Sequence, residues 1–308
     1  MQPAIKVIGV GGSGSNTISR MEKFNIKGVE LIAINTDAQA LHFCKAHKKI
    51  LIGKNITKGL GAGMDANIGY KAGLENKEEI MECLKGADMI FITCGLGGGT
   101  GSGASVVIAE TAKNLGILSV AVMTTPFSFE GYQRKKVADE ALENLKDKVD
   151  CSLIISNDKL LKVIDEKTTV TSAFLMCDEI LMQAVSGITD LILSPGIISI
   201  DFASVRSIMK DSGKAILGQG ISKGENRATE SAHKAITSPL LDGSINGAKG
   251  VLFCAFGKDI SLNEIQLAAK VITKTADPKA QIIFGAVKDD KLAKGEMKIT
   301  VIATDFKK

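Results

Sequence analysis

The sequence predicts an α/β protein with a parallel sheet covered by helices, a long connecting helix and a smaller α/β second domain. In the first half, apolar β-branched runs alternate with helical patterns at the spacing of βαβ units. A stretch from 171 to 193 then carries apolar residues at helical spacing and contains no proline. The second half again mixes strand and helix patterns but has no glycine-rich loop. We therefore expect domains at 1–170 and 195–308, joined by a helix over 171–194.

The elements of the first domain follow from these patterns in chain order. Buried strands are predicted at 5–10, 29–34, 48–53, 89–93, 118–123 and 152–155. Helices are predicted from about residue 15 to 24, over 67–85, over 102–115 and from about 134 to 145. The carboxyl ends of parallel strands share one edge of a sheet, and ligands bind there. The loops after these strands should therefore form one site.

The long helix is expected to end at Pro195 and Gly196, because proline and glycine stop helices. Beyond it, helices are predicted at 225–236 and 262–273, and strands at 250–256, 281–286 and 297–304. This pattern predicts a mixed sheet without small-molecule chemistry of its own.

Composition narrows the functional classes. The 308 residues are 45% hydrophobic and 23% charged, which is ordinary for a globular protein. No apolar stretch is long enough for a membrane span, and the N-terminus runs straight into a strand without a signal peptide. We therefore expect a cytoplasmic protein. The net charge of +4 is dispersed, and with 2 Tyr, 11 Phe and no Trp the chain does not favour nucleic-acid binding.

The metal-binding residue types are scattered. Six cysteines lie far apart without a Cys-x-x-Cys pair, and three histidines show no metal-ligand spacing. Buried free thiols are therefore expected, and no metal site built from the protein alone.

A glycine-rich loop, GLGGGTGSG at 95–103, stands between a buried strand and a helix. Glycines let the backbone approach a ligand closely, and free N–H groups at a helix N-terminus bind anions. Thr100 and Ser102 add hydroxyl donors. This context favours phosphate binding over a merely flexible loop. The loop is not a Walker A motif, because no Gly-Lys-Ser/Thr follows the glycines.

A second loop, GVGGSG at 9–14, has the G-x-G-x-x-G form at a strand-to-helix turn. Taken alone, it permits an NAD-dependent Rossmann enzyme, with Glu30 or Asp37 on the ribose. Such an enzyme does not need the second phosphate loop at 95–103, and the second half offers no evident catalytic acid or base. A third loop with three glycines lies at 57–63. The identity of the bound nucleotide, guanine or nicotinamide, separates the two hypotheses.

The spelling GGGTGSG closely resembles the signature loop of the tubulin/FtsZ family, and the chain resembles the cell-division GTPase FtsZ from residue 5 to 306. The matching stretches are IGVGG at 8–12, NTDAQAL at 35–41, GLGAG at 59–63, the loop at 97–103, FEG at 129–131, NDKLL at 157–161 and SPLL at 238–241. Several ordered motifs over the full length are far more specific than any one of them.

The resemblance implies a GTP/GDP site with Mg²⁺. By this resemblance, the nucleotide would be bound by Gly11, Gly12, Ser13, Gly14, Ser15, Asn16, Asp37, Gly97, Gly98, Gly99, Thr100, Gly101, Glu130, Arg134, Asn157, Phe174 and Asp178. Asp37 is a plausible holder of metal-bound water. An aspartate can accept from both N1–H and the 2-amino group of guanine, and adenine does not present that pair. Phe174 lies one turn before Asp178, and both base stacking and core packing remain open for it.

The resemblance also implies head-to-tail filaments in which a loop of one subunit reaches the next subunit's GTP. That loop presents Asn-x-Asp-x-x-Asp in the family, and the corresponding positions here are Ser199, Asp201 and Ser204. Only Asp201 keeps a carboxylate, and a serine hydroxyl is too weak a base to activate water. We therefore expect GTP binding and assembly with weakened hydrolysis. Ser204 could also simply cap a helix beginning at Val205.

Two alternatives within the family follow from this departure. The chain could be a hydrolysis-deficient scaffold, or a paralogue that assembles with an active FtsZ homologue. The sequence also ends near 308 without a Pro/Ser/Gln-rich linker or terminal peptide, so no direct membrane anchor is expected in this chain, whether the tail was removed or is lacking.

Overall fold

The computed structural model describes residues 2–24, 28–161, 168–194, 196–237 and 243–306. The matching stretch at 238–241 and the predicted helix stop at Pro195 lie outside these ranges. The chain divides into two compact units, Met1–Ser186 and Gly187–Lys308.

The first unit alternates strands and helices as predicted. Its strands are β1 (Ile5–Val10), β2 (Val29–Asn35), β3 (Lys48–Leu51), β4 (Met89–Gly95), β5 (Leu118–Thr125) and β6 (Cys151–Ser156). Its helices are α1 (Gly11–Lys23), α2 (Ala38–Phe43), α3 (Lys54–Thr57), α4 (Ala66–Glu75), α5 (Lys77–Leu84), α6 (Gly99–Asn114), α7 (Tyr132–Leu145) and α8 (Asn157–Leu160), with a 3-10 turn at Ser128–Glu130.

The six strands form a parallel sheet in the order β3-β2-β1-β4-β5-β6. Their apolar runs are buried on both faces, since helices cover a parallel sheet on both sides. Helix α6 is buried along most of its length, which fits the small and apolar residues that make up most of its sequence. The predicted fold class is confirmed. This strand order also occurs in dinucleotide-binding folds, so topology alone does not separate the two nucleotide hypotheses.

Helices α1 and α6 begin earlier than the sequence predicted. Helix α1 begins at Gly11 instead of near residue 15, and α6 begins at Gly99 instead of 102. The glycine stretches are therefore partly the first turns of these helices, which brings their amide groups to the sheet edge.

The single helix predicted over 67–85 is wrong, because α4 and α5 are separated at Asn76. The Asn76 amide accepts from the Gly53 backbone N–H at 2.9 Å and donates to Glu79 at 3.0 Å. An asparagine side chain competes with the helical hydrogen-bond pattern in this way and interrupts the helix.

The long helix α9 spans Val170–Leu193, as predicted from its apolar spacing. Its buried face carries Cys177, Leu181, Ala184, Val185, Ile188 and Leu191. The boundary between the two compact units lies within this helix.

Among the helices of the described ranges, none combines the length and hydropathy needed to cross a membrane.

The second unit contains α10 (Phe202–Met209), β7 (Gly213–Lys223), α11 (Arg227–Ile236), β8 (Ala248–Gly257), α12 (Leu262–Thr273), β9 (Gln281–Lys288) and β10 (Glu296–Phe306). Its strands are ordered β7-β10-β8-β9, with β10 antiparallel to both neighbours and β9 parallel to β8. The predicted mixed sheet is thereby observed.

Strand β7 had no predicted counterpart. Its sequence contains Gly218 and Gly220 instead of a continuous β-branched run. A Cβ atom at Gly218 would lie 1.8 Å from the Ala235 carbonyl oxygen of α11. The glycines permit close packing of α11 on the sheet, and the same glycines hide the strand pattern.

Candidate nucleotide site

A cavity of about 270 Å³ opens at the carboxyl edge of the first unit's sheet. It is bordered by the residues that follow β1, β4, β5 and β6, as the parallel arrangement requires. Of the predicted site residues, it brings together Gly11, Gly12, Ser13, Gly98, Gly99, Thr100, Gly101, Glu130, Arg134, Asn157, Phe174 and Asp178.

One end of the cavity is formed by the N-termini of α1 and α6. Their N-cap residues, Val10 and Gly98, make no side-chain capping hydrogen bond, and neither helix has an acidic residue in its first turn. The Gly99 N–H of α6 donates to the Gly63 carbonyl oxygen at 2.7 Å. Two helix N-termini without a side-chain cap still give this end a positive potential suited to phosphate.

The glycines at this end serve different purposes. A Cβ atom at Gly12 or Gly98 would meet open space, so these positions leave room for a ligand. Gly11 has φ +71°, and a Cβ there would lie 3.0 Å from the Gly101 amide nitrogen. Gly12 and Gly98 therefore leave space for a phosphate, whereas Gly11 allows the two glycine-rich loops to approach each other.

The other end of the cavity carries the polar groups expected for a base. Asn157 is buried, and its Oδ1 atom has no hydrogen-bond partner within the described part of the chain. Since buried polar atoms are normally paired, this atom fits a ligand donor. The Phe174 ring packs edge-on against Phe127 at 5.4 Å but is 40% exposed and borders the cavity. It is therefore packed on one side and accessible on the other.

Asp178 is a buried carboxylate beside this end. Burial is the main cause that raises its pKa to about 6, while the nearby Arg20 guanidinium and the Thr17 hydroxyl act to lower it. Thr17 Oγ1 donates to Oδ1 at 3.4 Å, and Arg20 Nε lies 3.3 Å from Oδ2. The pKa of this carboxyl group therefore lies close to neutral pH. Two further donors from a ligand would stabilise its ionised form.

Glu130 and Arg134 form a fixed pair at the rim. Arg134 Nη1 donates to Glu130 Oε2 at 2.8 Å, and the Phe127 backbone N–H donates to Oε1 at 2.8 Å. The Arg134 Nε atom is buried and has no partner among the described residues. One donor therefore remains available for a ribose or phosphate oxygen.

Five predicted site residues do not line this cavity. Gly14 packs below it, where a Cβ would lie 2.6 Å from the Thr93 carbonyl oxygen. Ser15 is buried and accepts from the Asn35 amide at 3.5 Å. A Cβ at Gly97, whose φ is +97°, would lie 2.8 Å from the Arg134 carbonyl oxygen. These three residues pack against or hydrogen-bond to neighbouring protein groups and do not border the cavity.

The remaining two are Asn16 and Asp37. Asn16 lines a neighbouring cavity of about 460 Å³, which shares Phe174 and Asp178 with the first. Asp37 caps α2, and its Oδ1 accepts from the Ala40 N–H at 2.9 Å. Its neighbour Thr36 contacts the glycine-rich loop at 95–103, because the Thr36 hydroxyl lies 2.6 Å from that of Thr100.

Thr17, Arg20 and Thr36 were not among the site residues predicted from the sequence. Residues 13, 17 and 20 lie on one face of α1, so the helical spacing from Ser13 could have indicated the first two. Thr36 is adjacent to the predicted site residue Asp37, and the sequence pattern gave no reason to choose Thr36 instead.

The loop before α10 lies in the second unit. Asp201 is the N-cap of α10, and its Oδ1 accepts from the Ser204 N–H at 2.6 Å. The prediction that Ser204 caps a helix beginning at Val205 is therefore wrong: the aspartate takes that role because the helix begins three residues earlier. Hydrogen bonds from the Ser204 hydroxyl and backbone lower the pKa of Asp201. Ser199 exchanges hydrogen bonds with the Gly196 backbone at 3.3 Å.

No cluster of three or more His, Cys, Asp or Glu side chains suited to a metal ion occurs in the residues that the structure describes.

Comparisons with known proteins agree with this architecture. Residues 4–165 match the family described as "Tubulin/FtsZ family, GTPase domain", and residues 213–307 match "FtsZ family, C-terminal domain". The chain is 51% identical to the cell division protein FtsZ 1 of Thermococcus kodakarensis over 294 residues, covering 96% of this chain and 79% of that protein. It is 49% identical to FtsZ 1 of Pyrococcus furiosus over 300 residues, covering 97% and 80%.

Solved structures give the same result. The FtsZ dimer of M. jannaschii, solved empty, has a TM-score of 0.92 at 44% identity and covers 99% of this chain and 88% of its own. CetZ2 from Haloferax volcanii, solved as a GTPγS-bound protofilament, has a TM-score of 0.84 at 21% identity and covers 97% and 92%, which shows a shared fold. The chain therefore belongs to the FtsZ family of cell-division GTPases, within the wider Tubulin/FtsZ family.

Proposed function

We propose that this chain binds GTP and GDP and assembles head to tail into filaments for cell division, with the nucleotide at each junction and with weak hydrolysis. The observation that carries the binding proposal is the cavity itself. Two helix N-termini without side-chain caps border it, together with Asp178 and Asn157, whose buried Oδ1 has no partner among the described residues. A guanine nucleotide matches both ends.

Base selection follows from the polar groups at the second end. The Asp178 carboxylate would accept from N1–H and the 2-amino group of guanine, and Asn157 Oδ1 is free to accept a further donor. Adenine has an acceptor at N1, so it would leave the carboxylate without its pair of donors. Phe174 offers the exposed part of its ring to the base.

The phosphates would lie against the first turns of α1 and α6, close to Gly12 and Gly98. Mg²⁺ commonly keeps several waters and is bound mainly through substrate phosphates, so the lack of a carboxylate cluster among the described residues fits a cation that arrives with the nucleotide. Mg²⁺ would neutralise phosphate charge when bound. The Thr100 hydroxyl lies 2.6 Å from that of Thr36, and Thr100 borders the cavity, so it is suited to orient such oxygens.

We propose that residues 1–170 form a GTP-binding domain and residues 171–194 a connecting helix. Residues 195–308 would form a C-terminal domain that carries the catalytic loop. In a filament, that loop would act on the GTP of a neighbouring copy. Asp201 would polarise the attacking water, but one of its oxygens already caps α10 and its pKa is lowered. Ser199 and Ser204 supply no second base, which supports slow hydrolysis.

A second candidate is a paralogue that assembles with an active FtsZ homologue, whose intact loop would serve this chain's nucleotide. The departure at Ser199 and Ser204 favours it, because GTP binding does not require these positions. In both cases the partner is another FtsZ-type subunit in the cytoplasm.

The test is to identify the nucleotide that is retained on gentle purification and then to sediment the protein with GTP and Mg²⁺. Guanine nucleotide in the protein and GTP-dependent pellets are expected. Nicotinamide nucleotide would support a Rossmann enzyme instead. Guanine nucleotide without pellets, alone or with an FtsZ homologue, would contradict the assembly proposal but not the binding proposal.

A further inference from the structure

The Asp178 carboxylate is held from one side by two residues of α1. Thr17 Oγ1 lies 3.4 Å from Oδ1, and Arg20 Nε lies 3.3 Å from Oδ2. The two residues are three positions apart and share a helix face. Each carboxylate oxygen therefore has one donor from α1. An ionised carboxylate has about four acceptor sites, so each oxygen keeps a site for a ligand donor.

Thr17 is fully buried and does not line the cavity. Its oxygen also lies 3.0 Å from the Ser13 carbonyl oxygen, which is the alternative acceptor for the same proton, and Ser13 borders the cavity. A hydroxyl has one donor and two acceptor sites. It can donate to an ionised Asp178, or accept from a protonated Asp178 while donating to Ser13. The hydrogen bond from Thr17 is stronger to an ionised carboxylate than to a neutral acid, so it favours the ionised form of Asp178.

We propose that Thr17 is a positioning residue that fixes the plane and the ionised form of Asp178, and thereby sets the selectivity for guanine over bases without a 2-amino group. This inference rests on the proposed function. Thr17 acts through Asp178 and contacts no nucleotide itself. Arg20 alone would hold one oxygen and leave the carboxylate free to rotate about its terminal bond.

The charged and titratable groups around Asp178 define the expected pH dependence. Arg20 faces it from α1, while Glu179 and Cys177 are its neighbours on α9. Burial raises the pKa of Asp178 to about 6, and the Thr17 hydrogen bond opposes this rise. Removing the hydroxyl should raise the pKa further, so that less carboxylate is ionised at pH 7.

The experiment measures the affinities for GDP and IDP, which lacks the 2-amino group, from pH 5 to 8. The variants are Thr17→Val, which keeps the shape, and Thr17→Ser, which keeps the hydroxyl. A matched control is Thr111→Val, because buried Thr111 also donates to a carbonyl one turn earlier, at 2.7 Å, but lies on α6 away from Asp178. It reports the effect of losing a helical threonine hydroxyl alone.

For Thr17→Val we expect GDP affinity to fall roughly tenfold at pH 7, because a hydrogen bond to a charged group is lost. The midpoint of the pH profile should rise, and the preference for GDP over IDP should shrink. Thr17→Ser and Thr111→Val should resemble the natural protein.

An unchanged midpoint and GDP preference in Thr17→Val would overturn the inference, as would an equal loss in Thr17→Ser. A valine variant that does not fold would assign the hydroxyl to the fold and would also overturn it. If the natural protein shows no preference for guanine nucleotides, the proposed function itself fails, which is a separate result.

Discussion

At the residue scale, neighbouring glycines of one loop have separate physical roles. A side chain at Gly12 would enter open space beside the phosphate end, whereas one at Gly14 would meet the Thr93 carbonyl oxygen at 2.6 Å. One glycine is thus required for a ligand and the other for packing. The loop sequence alone does not distinguish them.

Gly12→Ala should therefore leave the fold intact and weaken nucleotide binding. Alanine in the first turn of α1 is expected to change the free energy of unfolding by less than about 1 kcal/mol, in the stabilising direction. Its Cβ would occupy space needed by a phosphate. Gly14→Ala should instead destabilise by roughly 1–3 kcal/mol through overpacking. Thermal unfolding and GDP titration of both variants check this, and equal destabilisation would refute the distinction.

Asp178 makes the affinity for guanine nucleotides dependent on pH. Its pKa is raised to about 6, and guanine requires the ionised form. Affinity should therefore fall about tenfold per pH unit below the midpoint. Isothermal titration with GDP from pH 5 to 8 measures this, and a flat profile would contradict the assigned role.

The raised pKa of Asp178 also makes the stability of the nucleotide-free protein depend on pH. A raised pKa favours folding below the ordinary value near 4, and this contribution is lost as the pH rises through about 6. Asp178→Asn should therefore gain stability relative to the natural chain at pH 7, by up to about 3 kcal/mol, a figure that already includes the loss of the Arg20 ion pair. The gain should vanish near pH 4.

At the element scale, the first turns of α1 and α6 are the main determinants of the site. The sequence correctly placed both strand–glycine–helix units at one sheet edge, because parallel strands leave no other arrangement. It missed how early the helices begin, since glycine patterns are typical of loops. It also missed β7 and the break at Asn76, because both depend on close packing and side-chain hydrogen bonds that periodicity does not encode.

Helix α10 allows the cap and the proposed catalytic carboxylate to be separated. Asparagine is as good an N-cap as aspartate, whereas alanine is not. Asp201→Asn should therefore keep the melting temperature and lose the remaining GTP turnover, and Asp201→Ala should lower both. If Asp201→Asn hydrolyses GTP normally in assembled samples, Asp201 is not the base.

An ion-pair network centred on the buried Arg227 joins α11 and α12 in the second unit. Arg227 Nη1 donates to Asp259 at 2.6 Å and its Nε to Glu264 at 2.5 Å, and this arginine holds the pKa of Glu264 at about 2. The network's contribution is present above pH 4.5 and is lost as the pH falls towards 2. Arg227→Met should destabilise by roughly 1–3 kcal/mol at pH 7, and less in acid.

The control for this prediction is Lys249→Met, which removes an exposed ion pair with Asp305. Exposed pairs contribute little, so its unfolding free energy should hardly change. Urea unfolding at pH 7 and pH 3 measures both variants. An equal effect of the two substitutions would contradict a special role for Arg227.

At the scale of the whole molecule, the ordered motifs carried more information than any single loop. The strand order is shared with dinucleotide-binding folds, and only the series from IGVGG to NDKLL distinguishes this family from them. The sequence therefore predicted the fold, and most of the residues proposed for the site line one cavity. It could not show that Asp37 is used as a helix cap or that Asp201 caps α10, because these depend on where helices begin.

The most direct test of the account measures phosphate release and sedimentation of the same samples with GTP and Mg²⁺. The natural chain should pellet with little phosphate release, and Ser199→Asn combined with Ser204→Asp should raise release without reducing the pellet. An added carboxylate in the first turn of α10 also suits the helix dipole, so the variant should fold. Ordinary phosphate release by the natural chain, unchanged in the double variant, would contradict the account of its loop.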